Sequence, residues 1–141
     1  MNFLFCQGKE YFEDAATVRT AVFVNEQGFH DEFDEIDKVC THCVLYDQGE
    51  VVACGRFYDD QGKAMIGRIA VLAHYRDQHL GLKMMQEIEL CLQKQGYNEV
   101  YLSAQCQASG FYEKQGYQTY GEIFLDEDCP HIKMVKKMGG D

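Results

Sequence analysis

One stretch constrains the fold more than any other. An apolar strand at Ala64–Leu72 passes through a short polar connection into a helix from about Leu80 to Gln95, and a second strand follows at Glu99–Ala104. Leu80, Met84, Ile88, Cys91 and Leu92 recur at helical spacing and give that helix one apolar face. Gly96 ends it. A helix between two strands of one sheet is a βαβ unit, so its strands should lie parallel with a right-handed crossover.

The rest of the chain is organised differently. A first strand at Asn2–Cys6 precedes a helix marked by Tyr11, Ala15, Val18 and Val22. The acidic run Asp31–Asp37 reads as a loop or short helix. A hairpin follows, Thr41–Tyr46 and Glu50–Phe57 about the turn Asp47-Gln48-Gly49, and Asp59-Asp60-Gln61-Gly62 turns the chain into Ala64–Leu72. A short helix near Ala108–Gln115 stops at Gly116, and strands are expected at Tyr117–Leu125 and Ile132–Lys137. Meandering strands that outnumber the helices predict an α/β (α+β) fold: a mixed, mainly antiparallel sheet of six to seven strands flanked by about four helices. At 141 residues, positions 1–141 fit a single domain.

Charge and composition narrow the function. With a net charge of −10, nucleic acid and anionic membranes are poor partners, whereas a cationic substrate suits the balance. No apolar run approaches the roughly 20 residues of a membrane span, and the opening Met1-Asn2-Phe3-Leu4-Phe5-Cys6 lacks the basic start of a signal peptide. A cytoplasmic location is expected. The seven cysteines are then best read as reduced, small hydrophobes.

The junction between the parallel strand and its helix carries the chemistry. Ile66-Gly67-Arg68-Ile69-Ala70-Val71 leads through Tyr75-Arg76-Asp77-Gln78-His79 into Leu80-Gly81-Leu82. A helix N-terminus after a short loop presents unpaired amides and the positive end of the helix dipole, which suits a pyrophosphate. Arg76 adds a cation and Gly81 permits close approach. Many such junctions nevertheless bind nothing.

Arg76–Gly81 resembles the pyrophosphate loop Q/R-x-x-G-x-G/A of the GNAT superfamily of acetyl-CoA-dependent N-acetyltransferases, behind that family's apolar I-A-V strand end. Ala104-Gln105-Cys106-Gln107-Ala108-Ser109-Gly110-Phe111-Tyr112-Glu113-Lys114-Gln115-Gly116-Tyr117 is similar to its A-Q-x-x-A-x-x-F-Y-x-K-x-G-F segment. Val22-Phe23-Val24-Asn25-Glu26-Gln27, the run ending Asp34-Glu35-Ile36-Asp37, and His42 resemble a small bacterial subgroup. The three motifs stand in family order across most of residues 15–120. Two positions depart from the pattern. His79 replaces the first glycine of the loop, where a Cβ crowds the phosphates although an imidazole can attract them, and Asp77 stands where glycine is frequent. Asp77 is expected to cap the helix.

The resemblance implies a mechanism. The parallel strands splay, and acetyl-CoA lies in the V with its pantetheine against the backbone of Ile69, Ala70 and Val71. Its diphosphate rests on Arg76, Asp77, Gln78, His79, Leu80, Gly81 and Leu82, and Gln105 belongs to the same cofactor set. An amide of Ile69–Val71 would stabilise the oxyanion. Tyr112 matches the residue that protonates the departing thiolate, although Phe111 and Tyr112 can also be read as simple packing. The amine must lose a proton before it attacks. Glu26 is the first choice of base, with Glu32, Asp34, Asp37 and His42 as others. Asp34, Asp37, His42 and Arg68 are expected to line the acceptor pocket. No metal is expected, and a homodimer through the C-terminal strands is conceivable.

Two other readings stand beside this one. Cys40, His42 and Cys43, with Cys129 and His131, contain zinc-type ligands, but strand alternation sends Cys43 to the opposite face from Cys40 and His42. The fold can also serve as a non-catalytic acyl-CoA sensor, given the substituted glycine.

Overall fold

The computed structural model describes residues 3–138, in which seven strands form one sheet of order β1-β2-β3-β4-β5-β7-β6. The strands are β1 (Leu4–Gly8), β2 (Thr41–Asp47), β3 (Glu50–Asp60), β4 (Lys63–Val71), β5 (Glu99–Gln105), β6 (Gln118–Asp126) and β7 (Cys129–Lys137). Asn2, expected to open the first strand, lies outside the described residues. Every neighbouring pair is antiparallel except β4 and β5, as the single βαβ unit requires.

Three α-helices flank the sheet: α1 (Phe12–Arg19), α2 (Leu80–Lys94) and α3 (Ser109–Glu113). About four were expected. The acidic segment forms only a 3₁₀ turn at Glu35–Lys38, because Asp34 and Asp37 cap each other's backbone at its start. Helix α1 continues as wider π-type turns through Thr20–Glu26, a stretch holding β-branched Thr20, Val22 and Val24.

The two faces of the sheet have separate cores. Leu80, Met84, Met85, Ile88 and Leu92 of α2 pack on Cys43, Leu45, Ile66, Val100, Leu102, Ala104 and Met134. On the other face Ala15, Val18 and Val22 meet Val44, Cys54 and Ala70. The 3.6-residue period of α2 and the two-residue period of the strands are therefore both satisfied, and truncating Met84 or Ile88 to alanine should cost about 2–5 kcal/mol.

Candidate active site

Parallel pairing of β4 with β5 is confined to Ala64–Val100 and Met65–Tyr101. Beyond these two pairs β4 runs on to Val71 and β5 to Gln105 without laddering, so the strands splay into a V. On its other side β4 stays with β3, through Gly67–Arg56, Ala70–Cys54 and Val71–Ala53. The register slips between these pairs, and Arg68 takes a left-handed φ of 53° at the irregularity. The edge of β4 facing the V, at Ile69–Val71, therefore offers main-chain groups that no strand consumes.

At the open end of the V the chain makes a short 3₁₀ turn at Ala73–Tyr75 and then enters α2. The amides of residues 77–82 donate to no acceptor among the described residues, and Lys83 is the first to bond, to the His79 carbonyl at 3.0 Å. Six consecutive free amides at the positive end of a 15-residue helix make an anion cradle. The helix N-cap is His79 rather than Asp77, and His79 makes no side-chain capping bond. His79 and Asp77 have φ of 60° and 69°, so the two departures from the glycine pattern both sit in the left-handed region, where a side chain is strained. Gly81 answers to packing as well: a Cβ there would lie 3.2 Å from Phe111 Cζ. That contact joins α2 to α3.

Tyr112 packs edge-on to both Phe111 and Tyr117, with centroids 5.0 and 5.9 Å away. Tyr117 is itself fixed, donating to Glu89 Oε2 at 2.6 Å, while Lys136 Nζ donates to Glu89 Oε1 at 2.8 Å. Burial pushes the Tyr112 phenol up to about 12, so it keeps its proton across the physiological range.

Glu26 and Arg76, expected in separate roles, meet each other. Arg76 donates from its terminal nitrogen to Glu26 Oε1 at 2.8 Å and from Nε to the Val71 carbonyl at 3.1 Å. The next residue, Gln27, accepts from Gln105 at 2.7 Å, and Gln105 accepts from Gln107 at 2.6 Å. Gln27, Gly28, Phe29, Gln105, Gln107 and Cys129 are among the residues around a cavity of about 340 Å³, together with Glu127 and Asp128 of the β6–β7 turn.

The acidic run is tied down by ion pairs. Three carboxylates and three guanidinium groups interlock. Arg19 binds Glu32 at 2.8 Å and Asp37 at 2.7 Å; Arg56 binds Asp34 and Asp37, each at 2.8 Å; Arg68 binds Glu32 at 2.9 Å and Asp34 at 3.3 Å. Burial outweighs these contacts at Glu32 and raises its pKa. Burial also disfavours ionised Asp37, but the hydrogen bonds from Arg19 and the Asp34 amide, with the Arg56 charge, bring it down to about 2. Asp34 is lowered too, Arg56 prevailing over burial. Asp34, Asp37 and Arg68 are thus held chiefly by one another. Segment 27–34 reaches β5 through Gln105, β4 through Arg68, and the β6–β7 turn through Glu127, which accepts from the amides of His30 and Asp31 at 2.7 and 2.9 Å. It therefore spans the V on the α1 face.

His42 is enclosed, with Nε2 3.0 Å from the Asp37 carbonyl oxygen. Ligand atoms of Asp37, Cys40 and His42 fall within 4.8 Å of one another, while Cys43 points into the α2-side core. A metal here would have to displace two guanidinium groups from Asp37 and ionise a thiol that burial pushes up to about 11. These donors fit a salt-bridged anchor better than a metal centre. His131, considered in the sequence only as a distant zinc partner, is buried on β7, 8% exposed. Its burial depends on pairing across β5 and β6, which no local motif encodes.

Comparison with known proteins identifies the family. The family model described as "Acetyltransferase (GNAT) domain" matches residues 9–138. A Bacillus subtilis protein named as an acetyltransferase is 36% identical over 97% of each chain. The B. subtilis N-acetyltransferase YjcF, itself uncharacterised, is 35% identical over 96% of this chain and 99% of its own. Among solved structures, an acyl-CoA N-acyltransferase from Pseudomonas aeruginosa superposes with a TM-score of 0.85 at 27% identity, covering 96% of this chain and 99% of that one. Escherichia coli ElaA, with a TM-score of 0.85 at 24% identity over 96% and 100%, shares the fold.

Proposed function

Since the chain belongs to the GNAT acetyltransferase family, we propose that it transfers the acetyl group of acetyl-CoA to a primary amine by direct attack within a ternary complex. The observation that carries this reading is the V itself: β4 and β5 part after two residue pairs, and the free edge of β4 leads to six unbonded amides at the start of α2. That is a slot for an extended thiol-ended arm with an anion seat at its outer end.

In this reading the diphosphate rests on the amides of Asp77–Leu82, and the arm runs along Ile69–Val71. An N–H of that edge receives the developing oxyanion, an interaction worth about 3–4 kcal/mol of barrier in comparable sites. The amine lone pair forms the C–N bond, the C–S bond breaks, and the thiolate takes a proton from Tyr112, whose phenol is protonated at any working pH. The acceptor enters from the α1 face by the cavity under segment 27–29. The acidic turn Glu127–Asp128 and the net charge of −10 favour a small cationic amine or an amino acid.

The test is turnover of an amine panel (diamines, polyamines, amino acids, aminosugars and a lysine peptide) followed by release of CoA thiol. Saturable, acceptor-dependent release supports the reading. Tight acetyl-CoA binding with no release on any acceptor would refute catalysis.

A further inference from the structure

We propose that His131 is the general base that takes the proton from the acceptor ammonium. The assignment rests on the acetyl-transfer reading above, and it replaces the carboxylates as the proton acceptor. The other candidate bases are occupied by partners. Glu26 is bound to Arg76, Glu32 to Arg19 and Arg68, Asp34 to Arg56 and Arg68, and Asp37 to Arg19 and Arg56. The guanidinium groups hold Asp34 and Asp37 below the usual aspartate value and so weaken them as bases, while Glu26 and Glu32 each have an oxygen occupied by an arginine. His42 Nε2 is engaged by the Asp37 carbonyl and by Cys40 Sγ at 3.4 Å.

His131 is also well placed. Alternation along β7 puts Ile132 and Met134 under α2 and so turns His131 to the α1 face. There it pairs across the sheet with Gln105, and Cys129 lies two residues before it on the same face; both border the cavity assigned to the acceptor.

The state of its ring is set by a hydrogen bond. His131 Nδ1 lies 2.8 Å from the Cys129 carbonyl oxygen. A carbonyl can only accept, so Nδ1 carries the hydrogen and neutral His131 bears its lone pair on Nε2. The ring is stacked on Phe124 at 5.7 Å and 28°, which fixes its plane. Nε2 has no hydrogen-bond partner among the described residues, although the side chain is more than nine-tenths buried. It is not sealed in either, since the enclosed side-chain atoms lacking partners among the described residues are Asp47 Oδ1 and Arg56 Nε. A lone pair that is oriented and unspent, on a residue paired across the strands with the cavity-lining Gln105, is what a proton acceptor for the amine requires.

The protons balance as follows. Nε2 takes one from the ammonium and passes it to solvent, freeing the lone pair that forms the C–N bond. The second amine proton replaces the one that Tyr112 gives to the CoA thiolate, and the third stays on the amide product.

His131→Asn tests the role, because asparagine keeps an N–H for the Cys129 carbonyl and lacks the Nε2 lone pair. With an alkylamine acceptor at pH 7, kcat should fall on the order of 100-fold, with KM for acetyl-CoA within about twofold. With an alkoxyamine, which is already unprotonated at pH 7, the deficit should shrink to less than about fivefold. A kcat close to that of the parent protein, or an equal deficit with both acceptors, overturns the assignment. Nitrogen NMR of the parent protein provides a measurement independent of variant folding: a neutral ring protonated on Nε2 rather than Nδ1 would also overturn it. A parent protein that moves acetyl to no amine overturns the proposed function and this inference together. A parent that turns over beside an unimpaired variant overturns this inference alone.

Discussion

The guanidinium of Arg76 and the carboxylate of Glu26 lie 2.8 Å apart, across 50 residues of chain, and close one side of the mouth where β4 gives way to the helix loop. Each therefore limits what the other can do: Arg76 reaches a phosphate only by sharing or leaving Glu26, and Glu26 takes a proton only by leaving Arg76.

Glu26→Gln should release Arg76 toward the anion seat. The pair is partly exposed, so its strength is at most about 1 kcal/mol, and Kd for CoA should tighten by up to about fivefold with kcat retained. Calorimetry and steady-state kinetics check this. A kcat that collapses while Kd is unchanged would return Glu26 to the role of base.

Tyr112→Phe removes the proposed acid and keeps the ring that packs against Phe111 and Tyr117. Acetyl-CoA binding should stay within about twofold while kcat falls on the order of 100-fold. Because burial holds the phenol at about 12, no alkaline loss of activity below about pH 11 should be traceable to this residue. A rate equal to that of the parent protein removes Tyr112 from the mechanism.

His79→Gly relieves a left-handed residue at the N-cap of α2. The strain of about 1–2 kcal/mol is partly offset by the greater freedom of glycine in the unfolded chain. A net gain of roughly 0.5–1 kcal/mol should raise Tm by about 2–4 °C. Loss of the Cβ should also tighten CoA binding. Thermal melts with and without CoA measure both effects; a lower Tm with weaker binding would show that the imidazole itself contributes.

What the sequence disclosed and what it hid follow from the range of the interactions. The βαβ unit was legible because the α2 stripe and Gly96 are local signals, and the loop because its motif is contiguous from Arg76 to Gly81. The splay of β4 from β5 entered only through family resemblance; pairing that stops at Met65 and Tyr101 leaves no mark on either strand. The acidic run from Asp31 to Asp37 reads in the sequence as a loop with pocket-lining carboxylates because its cations, Arg19, Arg56 and Arg68, come from α1, β3 and β4. Asp77 reads as the N-cap of α2 because side-chain capping is the commoner device, whereas the backbone turns left-handed at His79, which is the cap.

Asp37 sets an acid limit on stability. Its folded pKa of about 2 lies below the ordinary aspartate value, so its contribution is complete above about pH 4 and is lost as pH falls from about 4 to 2. The side chain is only 6% exposed, and the amount is about 2 kcal/mol. Asp37→Asn should cost more, about 3–5 kcal/mol, since two buried guanidinium groups lose their shared partner. Denaturant midpoints from pH 7 to pH 2 for both proteins test this. A parent protein with unchanged midpoint below pH 4 would contradict it.

The anion seat and the V carry the proposed function, and amide-resolved NMR of the labelled protein titrated with acetyl-CoA addresses both at once. Saturable shifts should concentrate at residues 77–82 and Ile69–Val71, with smaller changes at Gln105 and Tyr112. Shifts that fail to saturate at millimolar cofactor, or that saturate elsewhere on the sheet while those amides stay still, would contradict it.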